Sequence, residues 1–204
     1  EWSFNTVVAE SIIKHLNDYE GAKTVRLDDP TGRTDVPLRT RTSKANNVNA
    51  DILVSIHHNA NTGRWGNWTG TETYHYPGST KGRQLAQTIH PYVVKAYGLR
   101  DRGIKSANFH MLRESRMPAI LIEGGFMDST IDIKKMRDKS VLKQAGKNIA
   151  EGIAKHLNLK KKSVAKPKPS GKLYKVQIGA FSKKQNAEKL AKQAQAKGFD
   201  WFIV

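Results

Sequence analysis

Hydrophobic residues follow two spacings along the first 157 positions, one typical of helices and one typical of buried strands. Apolar residues three to four positions apart predict helices over residues 2–19, 79–97 and 140–157, and a short helix that starts at Pro37. Apolar runs predict strands within residues 51–60, 71–76 and 119–126, with a shorter β-like stretch over 24–27. Pro91 is expected to kink or divide its helix.

This order of elements predicts an α/β fold with a mostly parallel sheet, covered by helices on both faces, over residues 1–157. Residues 158–172 contain three consecutive lysines and two Lys-Pro pairs, which are typical of an extended basic linker. Residues 173–204 follow a strand-helix-strand pattern. This last segment is too short to bury a large core, so we expect a small, partial α+β unit.

The charge is concentrated at the carboxyl end of the chain. The 204 residues carry a net charge of +17, of which residues 151–204 contribute +10, from 13 basic and 3 acidic residues. Such a tail suits nucleic acid, an anionic membrane surface or the polyanions of a cell wall. The sequence has no helix-turn-helix or RNA-binding signature, so we expect no nucleic-acid partner. No apolar run approaches the roughly 18 residues of a membrane span.

The candidate chemistry lies at the ends of two strands. Because the chain has no cysteine, a metal site must rest on His, Asp and Glu. His57 and His58 end one strand, but adjacent strand residues point to opposite faces, so they are not expected to bind one metal together. Glu123 ends another strand at its carboxyl end, where open α/β sheets place their sites. A surface histidine and an ordinary charged strand end are the alternatives for His57 and Glu123.

Five motifs in this order resemble the zinc-dependent N-acetylmuramoyl-L-alanine amidases of the amidase-3 type, over essentially residues 1–157. They are Glu1, Leu38-x-x-Arg41-x-x-x-Ala45-Asn46, Ser55-Ile56-His57-x-Asn59-Ala60, Arg100-Asp101-Arg102-Gly103 and Met117-Pro118-Ala119-x-Leu121-x-Glu123-x-Gly125-Phe126. The segment from Leu173 to Phe181 and the residues after it resemble one SPOR repeat, a peptidoglycan-binding module that normally occurs as a pair.

The resemblance implies that Glu1 and His57 bind a catalytic Zn²⁺ and that Glu123 is the catalytic glutamate. The third zinc ligand of the family is a histidine in a Gly-His-Gly-Gly loop that precedes the glutamate. The chain begins at Glu1 and lacks this loop, so we expect the parent protein to be active and the chain as it stands to bind zinc poorly and to be inactive. Asn59 and Arg102 are weaker, substrate-binding candidates.

Two further features have alternative interpretations. Arg113, like Arg102, is a candidate for binding stem-peptide carboxylates or an ordinary solvated arginine. The loop over residues 59–70 contains Trp65 and Trp68, which suit either stacking on sugar rings or packing within the loop.

The implied activity is hydrolysis of the bond between N-acetylmuramic acid and L-alanine in peptidoglycan, by a monomeric autolysin or phage lysin that acts outside the cell, at the cell wall. The alternative is a peptidoglycan-binding protein that keeps the amidase fold without catalysis.

Overall fold

The computed structural model describes residues 1–163 and 179–198, and the chain divides into two units, Glu1–Lys162 and Ser163–Val204. The first unit contains one four-stranded sheet in the order β1-β4-β2-β3. Its strands are β1 (Leu53–Asn59), β2 (Thr71–His75), β3 (Asp101–Ser106) and β4 (Ala119–Phe126). The pairs β1–β4 and β2–β3 are parallel, whereas β2 and β4 are antiparallel. Two of the three strand pairs are parallel, as predicted for a mostly parallel sheet, but the central pair is antiparallel, so the sheet is mixed.

Seven helices accompany the strands in the described parts of the chain. They are α1 (Trp2–Leu16), α2 (Leu38–Asn47), α3 (Thr80–Tyr97), α4 (His110–Arg113), α5 (Ile133–Met136), α6 (Lys139–His156) and, in the second unit, α7 (Lys184–Ala196). The helices predicted over 2–19, 79–97 and 140–157 are confirmed. Pro37 caps α2 instead of opening it, and Pro91 lies inside α3 without dividing it.

The helices lie on both faces of the sheet, as predicted. On one face α1, α3 and α6 enclose the larger core, in which Val8, Ile89, Ile120 and Ile149 are fully buried. On the other face α2 and α4 cover a smaller core. Its buried residues are Ala45, Leu53, Met111, Leu112, Ala119 and Leu121. The helices α2 and α4 are shorter than the helices on the first face. The strands extend beyond them, and the parts that extend carry polar side chains.

Alternation along the strands decides which polar side chains emerge on the second face. His57 shares a face with Leu53 on β1, and Glu123 shares a face with Leu121 on β4. Glu123 has a register partner on each side, which is His57 on β1 and Glu72 on β2. Three ionisable side chains from three adjacent strands therefore meet in one row.

Two predictions about strands need correction. Residues 24–27 form no strand, and Arg26 there is held by side-chain bonds to Asp28 and Thr6. The strand β3, which was not predicted, pairs with β2 at the sheet edge despite its polar sequence. The strands predicted over 173–181 and 201–204 lie outside the described residues, except for 179–181, which are not in a strand.

Among the described helices, none is both long and apolar enough to span a membrane.

Candidate active site

Glu123 occupies the centre of the row formed by His57, Glu123 and Glu72. Its Oε2 is buried and has no hydrogen-bond partner in the described part of the chain. Burial raises the pKa of the Glu123 carboxyl to about 7; the nearby charges of Glu1 and Glu72 also raise it, and His57 opposes the shift. A carboxyl group with this pKa both accepts and releases a proton near neutral pH, as a general base must.

Glu1 and His57 lie in contact beside Glu123. Glu1 is the residue before the first turn of α1, and its Oε1 accepts a hydrogen bond from His57 Nδ1 at 2.8 Å. This bond is the main cause that lowers the pKa of Glu1 to about 2. The other ring nitrogen of His57 lies 3.0 Å from the hydroxyl of Ser55. Both side chains are about one third exposed (33% for His57 and 38% for Glu1), so the pair is open to a ligand.

A chain of hydrogen bonds behind Glu1 holds its carboxylate in place. Asn5 Nδ2 donates to Glu1 Oε1 at 3.1 Å, and Asn5 Oδ1 lies 2.7 Å from His58 Nδ1. An amide oxygen only accepts, so His58 carries its hydrogen on Nδ1, and Nε2 accepts from the hydroxyl of Tyr97 at 2.9 Å. Burial lowers the pKa of His58 to about 4, so it is neutral at pH 7. His58 is therefore a buried support on the face opposite His57, as the alternation predicts.

Glu72 and three residues around it form a second polar group, which we call the Glu72 cluster: Glu72, Tyr74, Arg102 and Lys105. Glu72 accepts hydrogen bonds from Arg102 Nε and the Tyr74 hydroxyl, and its Oε2 lies 2.8 Å from Lys105 Nζ. Burial alone would raise the pKa of Glu72, but the bonds from Lys105, Tyr74 and Arg102 outweigh burial and lower it. Sequence reasoning missed Glu72, and its one signal was the alternation of β2, which places it on the face of Tyr74.

The weaker candidates lie in different places. Arg102 belongs to the Glu72 cluster next to Glu123. Asn59 ends β1, where its carbonyl accepts from the amide of Met127 at 2.7 Å. Arg113 does not reach this row of residues, because it bonds Glu114 and Asn108 near α4.

The loop after β1 is anchored on Asp128. Its carboxylate accepts the Trp68 indole N–H at 2.9 Å and the backbone N–H groups of Asn61, Thr62 and Gly63. Trp68 is thus a packed residue of the loop. Trp65 is exposed.

Glu1 and His57 supply two donors of the kind that zinc binds, a carboxylate oxygen and an imidazole nitrogen. Within residues 1–163 and 179–198, no three His, Asp or Glu side chains are grouped closely enough to hold a metal ion. The donor pair fits zinc as part of a ligand set, and the buried carboxylate of Glu123 beside it fits the base that such sites require.

Comparisons with known proteins identify the family of this chain. The Amidase_3 family, described as N-acetylmuramoyl-L-alanine amidase, matches residues 1–155, and the SPOR domain family matches residues 145–204. The chain is 44% identical over 189 residues to a sporulation-specific N-acetylmuramoyl-L-alanine amidase of Bacillus subtilis, a match that spans 92% of this chain and 69% of the relative. It is 42% identical to the N-acetylmuramoyl-L-alanine amidase CwlM of Bacillus licheniformis, over 93% of this chain and 70% of the relative.

Solved structures give the same result at the level of the fold. A crystal structure of an N-acetylmuramoyl-L-alanine amidase from Clostridium difficile 630 superposes with a TM-score of 0.70 at 37% identity, and covers 78% of this chain and 84% of that one. The family match over residues 1–155 includes Glu1, His57, Glu72 and Glu123.

Proposed function

Because the chain belongs to the Amidase_3 family of N-acetylmuramoyl-L-alanine amidases, we propose that it hydrolyses the amide bond between N-acetylmuramic acid and the L-alanine of the peptidoglycan stem peptide. One observation carries this proposal. Glu123, with a buried and unpartnered oxygen, lies directly beside His57, which in turn contacts Glu1. These three residues come from distant parts of the chain and are the two ligands and the base that the resemblance in motifs implies.

Glu123 is the proton carrier of the proposed reaction. Its Oε2 takes a proton from the water molecule whose oxygen attacks the amide carbonyl carbon. When the carbon–nitrogen bond breaks, the same oxygen returns the proton to the departing nitrogen of L-alanine. Because the pKa of Glu123 is raised to about 7, the group accepts and releases this proton near neutral pH.

Glu1 and His57 are proposed as two ligands of a Zn²⁺ ion. The chemistry that zinc supplies in such sites when bound is polarisation of the carbonyl and acidification of water. Asn5 and His58 hold Glu1 through Oε1, to which Asn5 Nδ2 and the backbone N–H of His58 donate. The hydrogen bonds to Glu1 in the described residues all use Oε1, so Oε2 remains free of protein donors.

The second unit is proposed to hold the enzyme on its substrate. The SPOR match and the basic character of residues 151–204 both suit binding to peptidoglycan and to other anionic wall polymers. We therefore propose that the protein acts outside the cell, at the cell wall.

The proposal is tested by incubating the protein with purified peptidoglycan and measuring new amino groups of L-alanine at the amino end of released peptides. We expect release by the parent protein, loss of release with a chelator and recovery on adding zinc. The exposed Glu20→Gln variant serves as the control for Glu123→Gln, and it should retain activity while Glu123→Gln loses it. Activity that is insensitive to chelator would contradict the zinc mechanism.

A second arm addresses the third zinc ligand implied by the resemblance. The chain is assayed as printed and with a Gly-His-Gly-Gly loop and its strand placed ahead of Glu1. We expect the extended chain to bind zinc more tightly and to be more active. If the extended chain binds peptidoglycan and zinc but releases no L-alanine amino groups, the non-catalytic alternative replaces this proposal.

A further inference from the structure

The Glu72 cluster contains more positive charge than its buried acid needs. Glu72 is only 2% exposed, and two cationic side chains, Arg102 and Lys105, bond to its single carboxylate. A buried carboxylate needs a cationic partner, because a buried charge without one is costly, and a single cation is enough to neutralise it. One positive charge is therefore left over, beside the residue proposed as the base.

The spare charge is turned towards solvent. The side chains of Arg102 and Lys105 are 32% and 38% exposed, in contrast to the carboxylate between them. Arg102 bonds Glu72 through Nε, and its two terminal nitrogens make no hydrogen bond within the described ranges 1–163 and 179–198. A planar anion such as a carboxylate can accept a hydrogen bond from each of these two nitrogens.

Aromatic and backbone contacts limit the movement of both cations. The guanidinium carbon of Arg102 lies 5.1 Å from the ring centre of Phe126, and Lys105 Nζ lies 6.0 Å from that of Tyr74. The stem of Arg102 packs against Gly70, where an added Cβ would lie 2.7 Å from the Arg102 Cγ and Cδ atoms. The donors are thus held ready before any ligand arrives, which reduces the entropy lost on binding.

The position of the cluster relates it to the scissile bond. Glu72 and Glu123 are direct partners on adjacent antiparallel strands, so their side chains point to the same face. Neighbouring strands are about 4.8 Å apart. An anion held by Arg102 and Lys105 would therefore lie on the same face as Glu123, one to two strand spacings (about 5 to 10 Å) away.

We propose that Arg102 and Lys105, held by Glu72, form an anion-binding subsite for a carboxylate on the peptide side of the scissile amide. The chemistry of the substrate selects the peptide side, because the lactyl carboxyl of the sugar is itself consumed in that amide. The stem peptide provides the free carboxylates. This inference rests on the proposed amidase function.

The test uses synthetic N-acetylmuramoyl peptides in which each carboxylate in turn is replaced by a carboxamide. At one position we expect the replacement to lower kcat/KM of the wild type about 10- to 100-fold, the range that hydrogen bonds to a charged group contribute. Arg102→Met and Lys105→Met should abolish this preference, while Arg102→Lys keeps the charge, loses the paired donors and should retain part of it. Lys95→Met, an exposed charge loss on α3, should leave the preference unchanged.

Binding is measured in parallel by calorimetry on the metal-free protein, which does not depend on catalysis. The acid form of the same peptide should bind about 10-fold or more tightly than its amide, and only in the presence of Arg102 and Lys105. Thermal unfolding verifies that each variant is folded; if the methionine variants are not, the comparison of acid and amide in the wild type still decides. Equal cleavage and equal binding of every acid and amide pair would overturn the subsite and leave the amidase function standing. A parent protein that binds the peptides and zinc but cleaves none would contradict the amidase function instead.

Discussion

Glu72 and Glu123 are direct partners on two neighbouring strands, and their pKa values are shifted in opposite directions. Both carboxyl groups are removed from bulk water to a large extent, and burial by itself would raise the pKa of each. Glu72 has three donors, from Tyr74, Arg102 and Lys105, and its pKa is lowered. Glu123 has no donor at Oε2, and its pKa rises to about 7. The donors around each group, more than its depth, decide which carboxyl is a structural anion and which is a proton carrier.

The largest expected effect comes from removing the proton carrier. Glu123→Gln keeps the size of the side chain but cannot accept a proton, so hydrolysis of peptidoglycan should fall about 10²- to 10⁴-fold. The same variant should be more stable than the wild type at pH 8, because it removes a carboxylate whose oxygen is buried and unpaired. Activity assays and thermal unfolding of the metal-free protein measure the two effects. A variant that loses stability and activity together would argue for a merely structural role.

The pH dependence of stability should show the sign of a raised pKa. Between pH 4.5 and about 7 the unfolded chain has released the Glu123 proton while the folded chain still holds it, so the contribution of Glu123 falls as pH rises. The full difference is roughly 3 kcal/mol, since each pKa unit corresponds to about 1.4 kcal/mol. The difference in unfolding free energy between wild type and Glu123→Gln, followed from pH 4 to pH 8 without metal, measures it. A pH-independent difference would contradict the assignment.

Neutralising the other acid should have the opposite consequence for stability. Glu72→Gln leaves Arg102 and Lys105 without their shared anion, and we expect a loss of about 2 kcal/mol, less than for a fully buried pair because both cations are partly exposed. Asp35→Asn is the control, since it breaks an exposed pair with Arg41 and should change stability by about 0–1 kcal/mol. Denaturant unfolding at pH 8 compares the two variants. Equal small effects would mean that the Glu72 cluster contributes little to the fold.

The smallest effect concerns the polar chain behind Glu1. Tyr97→Phe removes the hydroxyl that His58 Nε2 accepts from, and a buried acceptor without a partner costs about 1 kcal/mol or somewhat more. The change also loosens the orientation of Asn5 and through it Glu1, so zinc affinity should fall several-fold. Nitrogen NMR of the His58 ring reports the lost bond directly as a shift of the Nε2 resonance, while Asn5 Oδ1 keeps the hydrogen on Nδ1. An unchanged Nε2 resonance with unchanged zinc affinity would remove Tyr97 from the account.

Alternation along single strands allowed part of this site to be predicted from the sequence. It separated His57 from His58. The apolar run before Glu123 pointed to this residue as a candidate, but Glu123 lies inside β4 and not at its end. The interpretation of Glu1, His57 and Glu123 as ligands and base remains a proposal. What the structure adds is that His57 and Glu123 lie side by side on one face of the sheet and that Glu1 reaches His57 from the start of α1.

The other parts of the fold and of the site could not be predicted from the sequence, because they depend on strand pairings between distant segments. Strand β3 is short and polar, and it forms because β2 offers backbone partners at an edge, which apolar periodicity does not indicate. Residues 24–27 have β-like spacing but find no neighbouring strand. Glu72 resembles a solvent-facing acid until β2 and β3 pair and bring Arg102 and Lys105 to it. The antiparallel pairing of β2 with β4, which sets Glu72 opposite Glu123, has no local signal either.

The contrast between the two facing acids is tested most directly by titrating their side-chain carboxyl carbons with ¹³C NMR in the metal-free protein. The structure predicts a midpoint near pH 7 for Glu123, absent from Glu123→Gln, and a midpoint below 4.5 for Glu72. Two midpoints close to 4.5 would contradict the account, because Glu123 would then be an ordinary carboxylate, without the pKa expected of a general base.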